Sequence, residues 1–242
     1  MHFIDLHAQY QVLKQRIDKR IHQVLDHGQY IMGPEVKELE GRLSDYVGVK
    51  HAISCANGTD ALQLALMAIG VGEGDAVFCP TFTFFATAEA ISFVGARPYF
   101  VDSDEATFNI CPVSLVEQIE KLIESGMHVP KAIIAVDLFG QPANYSELER
   151  IAKQYNLILV EDAAQAYGAH LNGKMAGSFG DFGCFSMNAM KVFSSYGEAG
   201  AITSSNTKLR DTLISLRYNG TINKEDCYIP SINARIDTIQ AA

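Results

Sequence analysis

Lys191 is the residue whose surroundings most strongly suggest chemistry. It lies in FGCFSMNAMKVFSSYGEAGA, residues 182–201, a run that otherwise looks like a buried strand leaving the core. A buried lysine loses proton affinity because desolvation disfavours its charged form, and a neutral amine is a nucleophile toward carbonyl groups. Taken alone, this signal is weaker than the alternative, in which the side chain extends its ammonium group to water.

The segment SCANGTDALQLAL, residues 54–66, suggests a site for an anion. Small and turn-forming residues stand there between a strand and a helix, so the first backbone N–H groups of the helix are free to face a ligand. A helix N-terminus of this kind attracts phosphate. An ordinary helix cap made by Asn57 or Thr59 explains the same residues equally well.

The segment LILVEDAAQAYGA, residues 157–169, ends an apolar strand on two consecutive acids. Strand alternation directs one acid to each face of the sheet. Asp162 could therefore pair with a cationic ring nitrogen, although it could also cap the following helix. Together with Phe84 as a flat aromatic, the phosphate site, the carboxylate and the amine describe a pocket for pyridoxal 5'-phosphate (PLP).

The elements that position these residues alternate between short apolar runs and helical patterns. We expect strands at 52–54, 76–80, 97–102, 131–140 and 157–162, with helices at about 59–69, 84–93, after Pro112 and at about 144–155. This order predicts an α/β fold, a three-layer αβα sandwich with a mainly parallel central sheet. Ligands of such sheets bind beyond the carboxyl ends of the strands. The tail, SINARIDTIQAA, looks like a helix.

The amino-acid composition argues against some classes of binding partner and indicates where the protein is located. The 242 residues carry a net charge of -9 and no cluster of Lys and Arg, which argues against nucleic acid as a partner. No apolar run is long enough to span a membrane, and the first residues do not resemble a signal peptide, so a cytoplasmic location is the expectation. The five cysteines form no CxxC pair and look like reduced core residues; neither they nor the scattered histidines indicate a metal site.

Several motifs in order carry a resemblance to a known family. They are FIDLHAQY at the start, HGQYIMGPEVKELE, NGTDAL, TFTFFATAEA, EDAAQAYGA, FSxxxxK and NxRxDxxQAA at the last residues. This order resembles the DegT/StrS family of sugar-nucleotide aminotransferases, which are PLP-dependent enzymes of the fold type I, aspartate-aminotransferase-like class. The resemblance runs along the whole chain.

The resemblance implies a role for each site residue. Lys191 would bind PLP covalently and Asp162 would keep its ring nitrogen protonated. Gln165 would hydrogen-bond the ring oxygen, and Phe84 would stack on the ring. The phosphate would be held by Gly58, Thr59 and Ser186. Asn233 would reach the phosphate of a neighbouring subunit, which implies a homodimer with shared active sites.

The resemblance also implies how the chain is organised. Family members continue into a smaller C-terminal domain, so residues 1–242 would be the PLP-binding large domain, with the small domain absent or truncated. The chain departs from the common pattern around the lysine, where Ala189 and Val192 replace the usual Pro before it and Asn or Pro after it. This departure bears on the sugar subtype rather than on the cofactor, because the FSxxxxK spacing is kept.

The implied function is transfer of an amino group from glutamate to a nucleotide-linked ketosugar, first of all a UDP-linked 3-keto sugar, for polysaccharide, including lipopolysaccharide, biosynthesis. A UDP- or dTDP-linked 4-keto sugar is the nearest alternative. A catalytically silent, cofactor-binding or regulatory chain is an alternative of another class. The presence of Lys191 disfavours the dehydratase branch, in which His replaces the lysine. A Rossmann-like nucleotide binder is excluded because no G-x-G-x-x-G follows the strand at 51–54.

Overall fold

The computed structural model describes residues 4–221, 223 and 225–242, so Phe3 of the FIDLHAQY motif lies outside the described residues. The strands are β1 (His51–Cys55), β2 (Asp75–Pro80), β3 (Arg97–Val101), β4 (Val129–Val136), β5 (Ile158–Asp162), β6 (His170–Leu171), β7 (Lys174–Met175), β8 (Phe182–Ser186) and β9 (Gly200–Ser204). The helices are α1 (Leu6–His27), α2 (Pro34–Val47), α3 (Gly58–Ala68), α4 (Ala86–Phe93), α5 (Pro112–Ser125), α6 (Tyr145–Tyr155), α7 (Thr207–Arg217) and α8 (Thr238–Ala241).

Seven of these strands form one central sheet, in the order β1-β9-β8-β5-β4-β2-β3. The neighbours from β3 to β8 are parallel, whereas β9 is antiparallel to both β8 and β1. The strands β6 and β7 form a separate antiparallel pair. The expected mainly parallel sheet is confirmed, and β9 is the strand that reverses direction within it.

Helices cover both faces of the sheet. One face packs its apolar residues against α3, α4 and α7, through Ile134, Val160 and Ile202. The other packs against α5 and α6, through Ile133 and Leu159, and against α2. The three-layer αβα arrangement expected from the sequence is therefore present, and each buried strand contributes residues to both layers, as a sheet covered on two faces requires.

Local signals fix the helix ends near the site. The Asn57 side chain accepts a hydrogen bond from Asp60 N at 2.8 Å and so caps α3. Asn144 caps α6 in the same way, and α5 starts with Pro112 and ends at Gly126, which adopts positive φ. Asparagine side chains thus cap the starts of α3 and α6, whereas a proline begins α5.

The structure corrects two expectations. The tail is not a helix throughout, because residues 231–237 run extended and Ala234 exchanges backbone hydrogen bonds with Arg217 and Ala56; only Thr238–Ala241 is helical. Not every cysteine is a core residue either, since Cys227 is exposed and Cys111 is partly exposed, although all five are free thiols. Among the described residues, no helix is long and apolar enough to cross a membrane.

Candidate active site

Strand β5 ends with two acids that face opposite layers, as the alternation predicted. Asp162 lies on the cavity side, whereas Glu161 accepts hydrogen bonds from the backbone N–H groups of Gly177 and Phe179 on the other side. Both carboxyl groups are buried. The end of β5 therefore places one acid, Asp162, where it can meet a ligand.

Asp162 is held by donors despite its burial. The Thr87 hydroxyl donates to Asp162 Oδ2 at 2.9 Å, and the Ala164 N–H donates to Oδ1 at 3.2 Å. Burial raises the pKa of this carboxyl group, whereas the two hydrogen bonds and the positive charge of Lys191 lower it. A cationic group brought to Asp162 would further favour the carboxylate form.

The N-terminus of α3 packs tightly against Ser186 at the end of β8. A Cβ atom added to Gly58 would lie 2.6 Å from the Ser186 Cβ atom, so a larger residue does not fit at position 58. In the part of the chain that the structure describes, the N–H groups of Gly58 and Thr59 have no hydrogen-bond acceptor. Two backbone donors, a hydroxyl group and a helix N-terminus thus converge, as an anion site requires.

Lys191 lies in the loop between β8 and β9, five residues after β8 ends at Ser186, and not in the strand that its apolar neighbours suggested. A turn closed by the hydrogen bond from Lys191 N to Asn188 O, at 2.8 Å, sets its position. The side chain is partly buried and lines the cavity. It forms no ion pair among residues 4–221, 223 and 225–242, and its amine is therefore available to a ligand.

One cavity of about 670 Å³ brings the predicted residues together. It is lined by Gly58, Thr59, Phe84, Asp162, Gln165, Ser186 and Lys191. Gln165 Oε1 accepts a hydrogen bond from Phe139 N at 2.8 Å, which leaves the Gln165 NH₂ group as a donor. Phe84 is 71% exposed, so one ring face is open for stacking. The volume falls within the roughly 300–1,000 Å³ of small-molecule sites.

Asn233 is the predicted site residue that does not line this cavity. It is exposed, forms an isolated bridge with Tyr218, and its side-chain oxygen accepts a hydrogen bond from Arg235 Nε at 2.8 Å. A second cavity, of about 490 Å³, is bordered by Arg20, Tyr167 and other residues, and it contains none of the predicted site residues. Seven of the eight predicted site residues therefore line the larger cavity.

The sequence interpretation missed several polar residues of the cavity. Thr87 supports Asp162, and Thr83 hydrogen-bonds Thr87 at 2.8 Å. The Asn188 NH₂ group donates to Glu198 Oε1 at 2.5 Å on the cavity wall. The signal for Thr87 in the sequence was a polar threonine within the apolar helix segment ATAEA. The pairing of Asn188 with Glu198 gave no such signal, because it depends on the conformation of the loop between β8 and β9.

The arrangement combines three chemical abilities in one cavity. It offers an amine at Lys191, a buried carboxylate at Asp162 and an anion site at the start of α3. Among the described residues that line the cavity, Lys191 is the one Lys or Arg side chain. Within the same described part of the chain, no group of three or more His, Cys, Asp or Glu residues could hold a metal ion.

Comparison with known proteins agrees with this arrangement. The chain is 43% identical over 241 residues to the UDP-2-acetamido-2-deoxy-3-oxo-D-glucuronate aminotransferase of Pseudomonas aeruginosa PAO1, covering 99% of this chain and 65% of the relative. It is 39% identical to the UDP-N-acetyl-3-dehydro-alpha-D-glucosamine 3-aminotransferase of Acidithiobacillus ferrooxidans, covering 98% of this chain and 63% of the relative. The chain thus spans less than two thirds of the length of these relatives.

Solved structures show the same fold. A DegT DnrJ EryC1 StrS aminotransferase from Brucella abortus superposes with a TM-score of 0.97 at 45% identity, covering 100% of this chain and 65% of that chain. NtdA from Bacillus subtilis, solved with bound cofactor PMP, gives a TM-score of 0.90 at 29% identity, covering 100% of this chain and 54% of that chain. The family model of the DegT/DnrJ/EryC1/StrS aminotransferases matches residues 11–242. The chain therefore belongs to the DegT/DnrJ/EryC1/StrS aminotransferase family.

Proposed function

We propose that residues 1–242 form the PLP-binding large domain of a nucleotide-sugar aminotransferase. The observation that carries this proposal is the convergence of Lys191, Asp162 and the start of α3 on one cavity. Membership of the family supports the cofactor, as does the PMP bound to NtdA. A Rossmann-type dinucleotide site is disfavoured because no G-x-G-x-x-G follows the strand at 51–54.

The residues of the cavity fit this cofactor. Gly58, Thr59 and Ser186 would hold the phosphate, because the missing Cβ atom of Gly58 lets the backbone approach Ser186. Asp162 would meet the ring nitrogen, Gln165 would donate to the ring oxygen, and Phe84 would cover one ring face. Lys191 would supply the amine that binds the aldehyde. PLP, when bound, supplies an electron-withdrawing ring that stabilises negative charge on the carbon next to the amino group.

The chain's own side chains then have separate tasks. Asp162, which accepts hydrogen bonds from Thr87 and Ala164, would keep a proton on the ring nitrogen by remaining ionised. Lys191 Nζ would accept a proton from the substrate carbon and return it, as a general base and acid, a role worth roughly 10²- to 10⁴-fold in rate. The Thr59 and Gly58 N–H groups would hold the phosphate end and so help to orient the cofactor toward Asp162 and Lys191.

We propose glutamate as the amino donor and a UDP-linked 3-keto sugar as the acceptor. The names of the two curated relatives support the choice of sugar, because each refers to a UDP-linked 3-oxo or 3-dehydro sugar. A UDP- or dTDP-linked 4-keto sugar is the comparison substrate. The test is a single-turnover assay. Glutamate is first used to convert the bound cofactor to its amino form, and each ketosugar is then added in a separate reaction. If only the 4-keto sugar is converted, the amino group is transferred to C4 of the sugar and not to C3.

We further propose a homodimer in which Asn233 serves the cavity of the partner copy. Two features support it. Asn233 is exposed and lies outside its own chain's cavity, beside Arg235. Several exposed aromatic side chains also lie next to the cavity or follow the neighbouring strands: Phe82, Phe84, Phe85, Phe108 and Phe139. Contiguous exposed apolar surface of this kind is typical of an interface.

The cellular location of the protein and its biosynthetic role are further parts of the proposal. A cytoplasmic location and a role in surface polysaccharide synthesis remain predictions from the sequence and its resemblance. A catalytically silent, regulatory chain remains the competing function, and it predicts that glutamate leaves bound PLP unchanged. Spectroscopic conversion of the cofactor by glutamate, lost in Lys191→Ala, separates the two.

A further inference from the structure

The loop that carries Lys191 prolongs the pairing of β8 with β9 beyond the sheet. Met187 N donates to the backbone oxygen of Ala199 at 2.7 Å, and Ala189 N donates to that of Gly197 at 3.1 Å. Lys191 lies just beyond the second pair, in the turn at the tip of the loop. The two arms of the loop are therefore held together up to the turn that contains Lys191.

Little apolar packing holds this turn. Met190 is 55% exposed and Val192 is 79% exposed, on either side of Lys191. The next aromatic residue, Phe193, stacks on Tyr167 with ring centroids 4.1 Å apart and so fastens the chain after the turn. Because the neighbours of Lys191 bury so little surface, the position of its backbone depends on hydrogen bonds.

Asn188 provides two of these hydrogen bonds. Its side-chain Oδ1 accepts from Met190 N at 2.9 Å, and its backbone oxygen accepts from Lys191 N at 2.8 Å. Asparagine is favoured at the first position of a turn because its side chain can bind the backbone two residues further on. The Asn188 N–H group also donates to Ser186 Oγ at 3.4 Å, which leaves the Ser186 hydroxyl hydrogen for a ligand. Asn188 thus links the turn of Lys191 to the proposed phosphate site.

Glu198 sets the orientation of the Asn188 amide group. The two residues lie opposite each other on the arms of the loop, and Asn188 Nδ2 donates to Glu198 Oε1 at 2.5 Å. A carboxylate accepts hydrogen bonds and does not donate them, so the amide NH₂ group faces Glu198 and the amide oxygen faces Met190 N. No ion pair among the described residues includes Glu198, so its charge is available to strengthen this hydrogen bond.

We propose that Asn188, oriented by Glu198, is a positioning residue that holds the backbone of Lys191 where its amine reaches the cavity. This inference rests on the proposed function, in which Lys191 binds the aldehyde of PLP. Asn188 and Glu198 both line the cavity, but they act on Lys191 through the backbone turn. The turn requires the hydrogen bond to position 198 rather than the charge there. Glu198→Gln keeps an acceptor oxygen for Asn188, whereas Glu198→Ala removes it.

The orientation of Asn188 is tested in the cofactor-free protein by hydrogen exchange of the Met190 N–H group. The measurement uses NMR of protein labelled with ¹⁵N-methionine, with the signal assigned through Met190→Leu. Asn188→Ala and Glu198→Ala should each speed this exchange by about 3- to 10-fold, the range expected for loss of one hydrogen bond. Glu198→Gln should exchange like the wild type. Unchanged exchange in Asn188→Ala or Glu198→Ala, or equal exchange in the two Glu198 variants, overturns the proposal.

The effect on Lys191 is tested by the rate at which PLP becomes attached to it. PLP is added, the reaction is stopped with borohydride at increasing times, and the Lys191 peptide is quantified by mass spectrometry. Asn188→Ala and Glu198→Ala should slow attachment by about 10-fold or more, because small displacements of a reacting group are costly. Glu198→Gln should react at the wild-type rate. Ser195→Ala is the matched control, because it removes another hydrogen bond of the loop, from Ser195 Oγ to Met187 O at 2.8 Å, and leaves Asn188 unchanged.

Two results of the attachment test would overturn the proposal. One is an equal rate in the wild type, Asn188→Ala and Glu198→Ala. The other is equal slowing in Ser195→Ala, which would show that any loosening of the loop has the same effect. A wild type that attaches no PLP to Lys191 contradicts the proposed function instead. The hydrogen-exchange test needs no PLP and still decides whether Glu198 and Asn188 hold the turn.

Discussion

The Thr87 hydroxyl donates a hydrogen bond of 2.9 Å to the Asp162 carboxylate across 75 positions of the chain. Helix α4 and strand β5 meet at this bond. It offsets part of the desolvation that raises the pKa of Asp162. The packing of α4 against β5 therefore supports the buried carboxylate, and the exposed Phe84 lies just before the same helix.

Asp162→Asn should lower kcat/KM for amino transfer by about 10- to 100-fold. The variant keeps the shape of the side chain but loses a charge-assisted hydrogen bond, worth roughly 1.5–3 kcal/mol. Thr87→Val should give a smaller loss. Asp181→Asn is the matched control, because that carboxylate accepts a hydrogen bond from Leu159 N outside the cavity. Equal kinetics of Asp162→Asn and the wild type would remove Asp162 from the mechanism.

Gly58→Ala should weaken PLP binding and lower stability by about 1–3 kcal/mol, the usual cost of overpacking. The added Cβ atom would lie 2.6 Å from the Ser186 Cβ atom. Adding Ser186→Gly removes that atom and should restore part of the stability, measured by urea unfolding. It should not restore PLP affinity, because the hydroxyl group is lost. Recovery of full affinity in the double variant would exclude Ser186 as a phosphate ligand.

The stability of the cofactor-free protein should depend on pH through Asp137 and Glu161. Both have a higher pKa in the folded state than in the unfolded chain, so the folded state binds more protons. Their contribution is complete below about pH 4 and is lost as the pH rises through about 6 and beyond. Unfolding free energies measured from pH 4 to 8 should fall more steeply in the wild type than in Asp137→Asn/Glu161→Gln, by up to about 1.4 kcal/mol per pH unit for each proton. Parallel curves would contradict the raised pKa values.

Mixing two inactive variants tests the shared active site. Lys191→Ala and Asn233→Ala should each be impaired in amino transfer, the second through weaker phosphate binding. Subunit exchange between them should form mixed dimers in which one of the two sites keeps both residues, and activity should reappear. Lys191→Ala mixed with Lys191→Ala/Asn233→Ala is the control, since no intact site can form. No recovery, with exchange shown by mass-tagged subunits, would contradict a site built from two copies.

The sequence predicted the chemistry of single segments better than the contacts between them. The opposite orientation of Glu161 and Asp162 was predictable, because it depends on strand alternation alone. The hydrogen bond from the Tyr145 hydroxyl to Asp137 was not, because it depends on how α6 packs against the end of β4. The extended tail around Ala234 was misread as a helix, since its backbone partners lie far away in the chain, at Ala56 and Arg217.

The most direct test of the account is to locate the bound cofactor. The protein is incubated with PLP, reduced with borohydride, digested and examined by mass spectrometry, with Lys191→Ala and the exposed-lysine control Lys208→Ala treated in parallel. The account predicts one equivalent of PLP fixed to the peptide that contains Lys191 in the wild type and in Lys208→Ala, and none at that site in Lys191→Ala. Stoichiometric PLP on another lysine, or equal labelling of the wild type and Lys191→Ala, would contradict it.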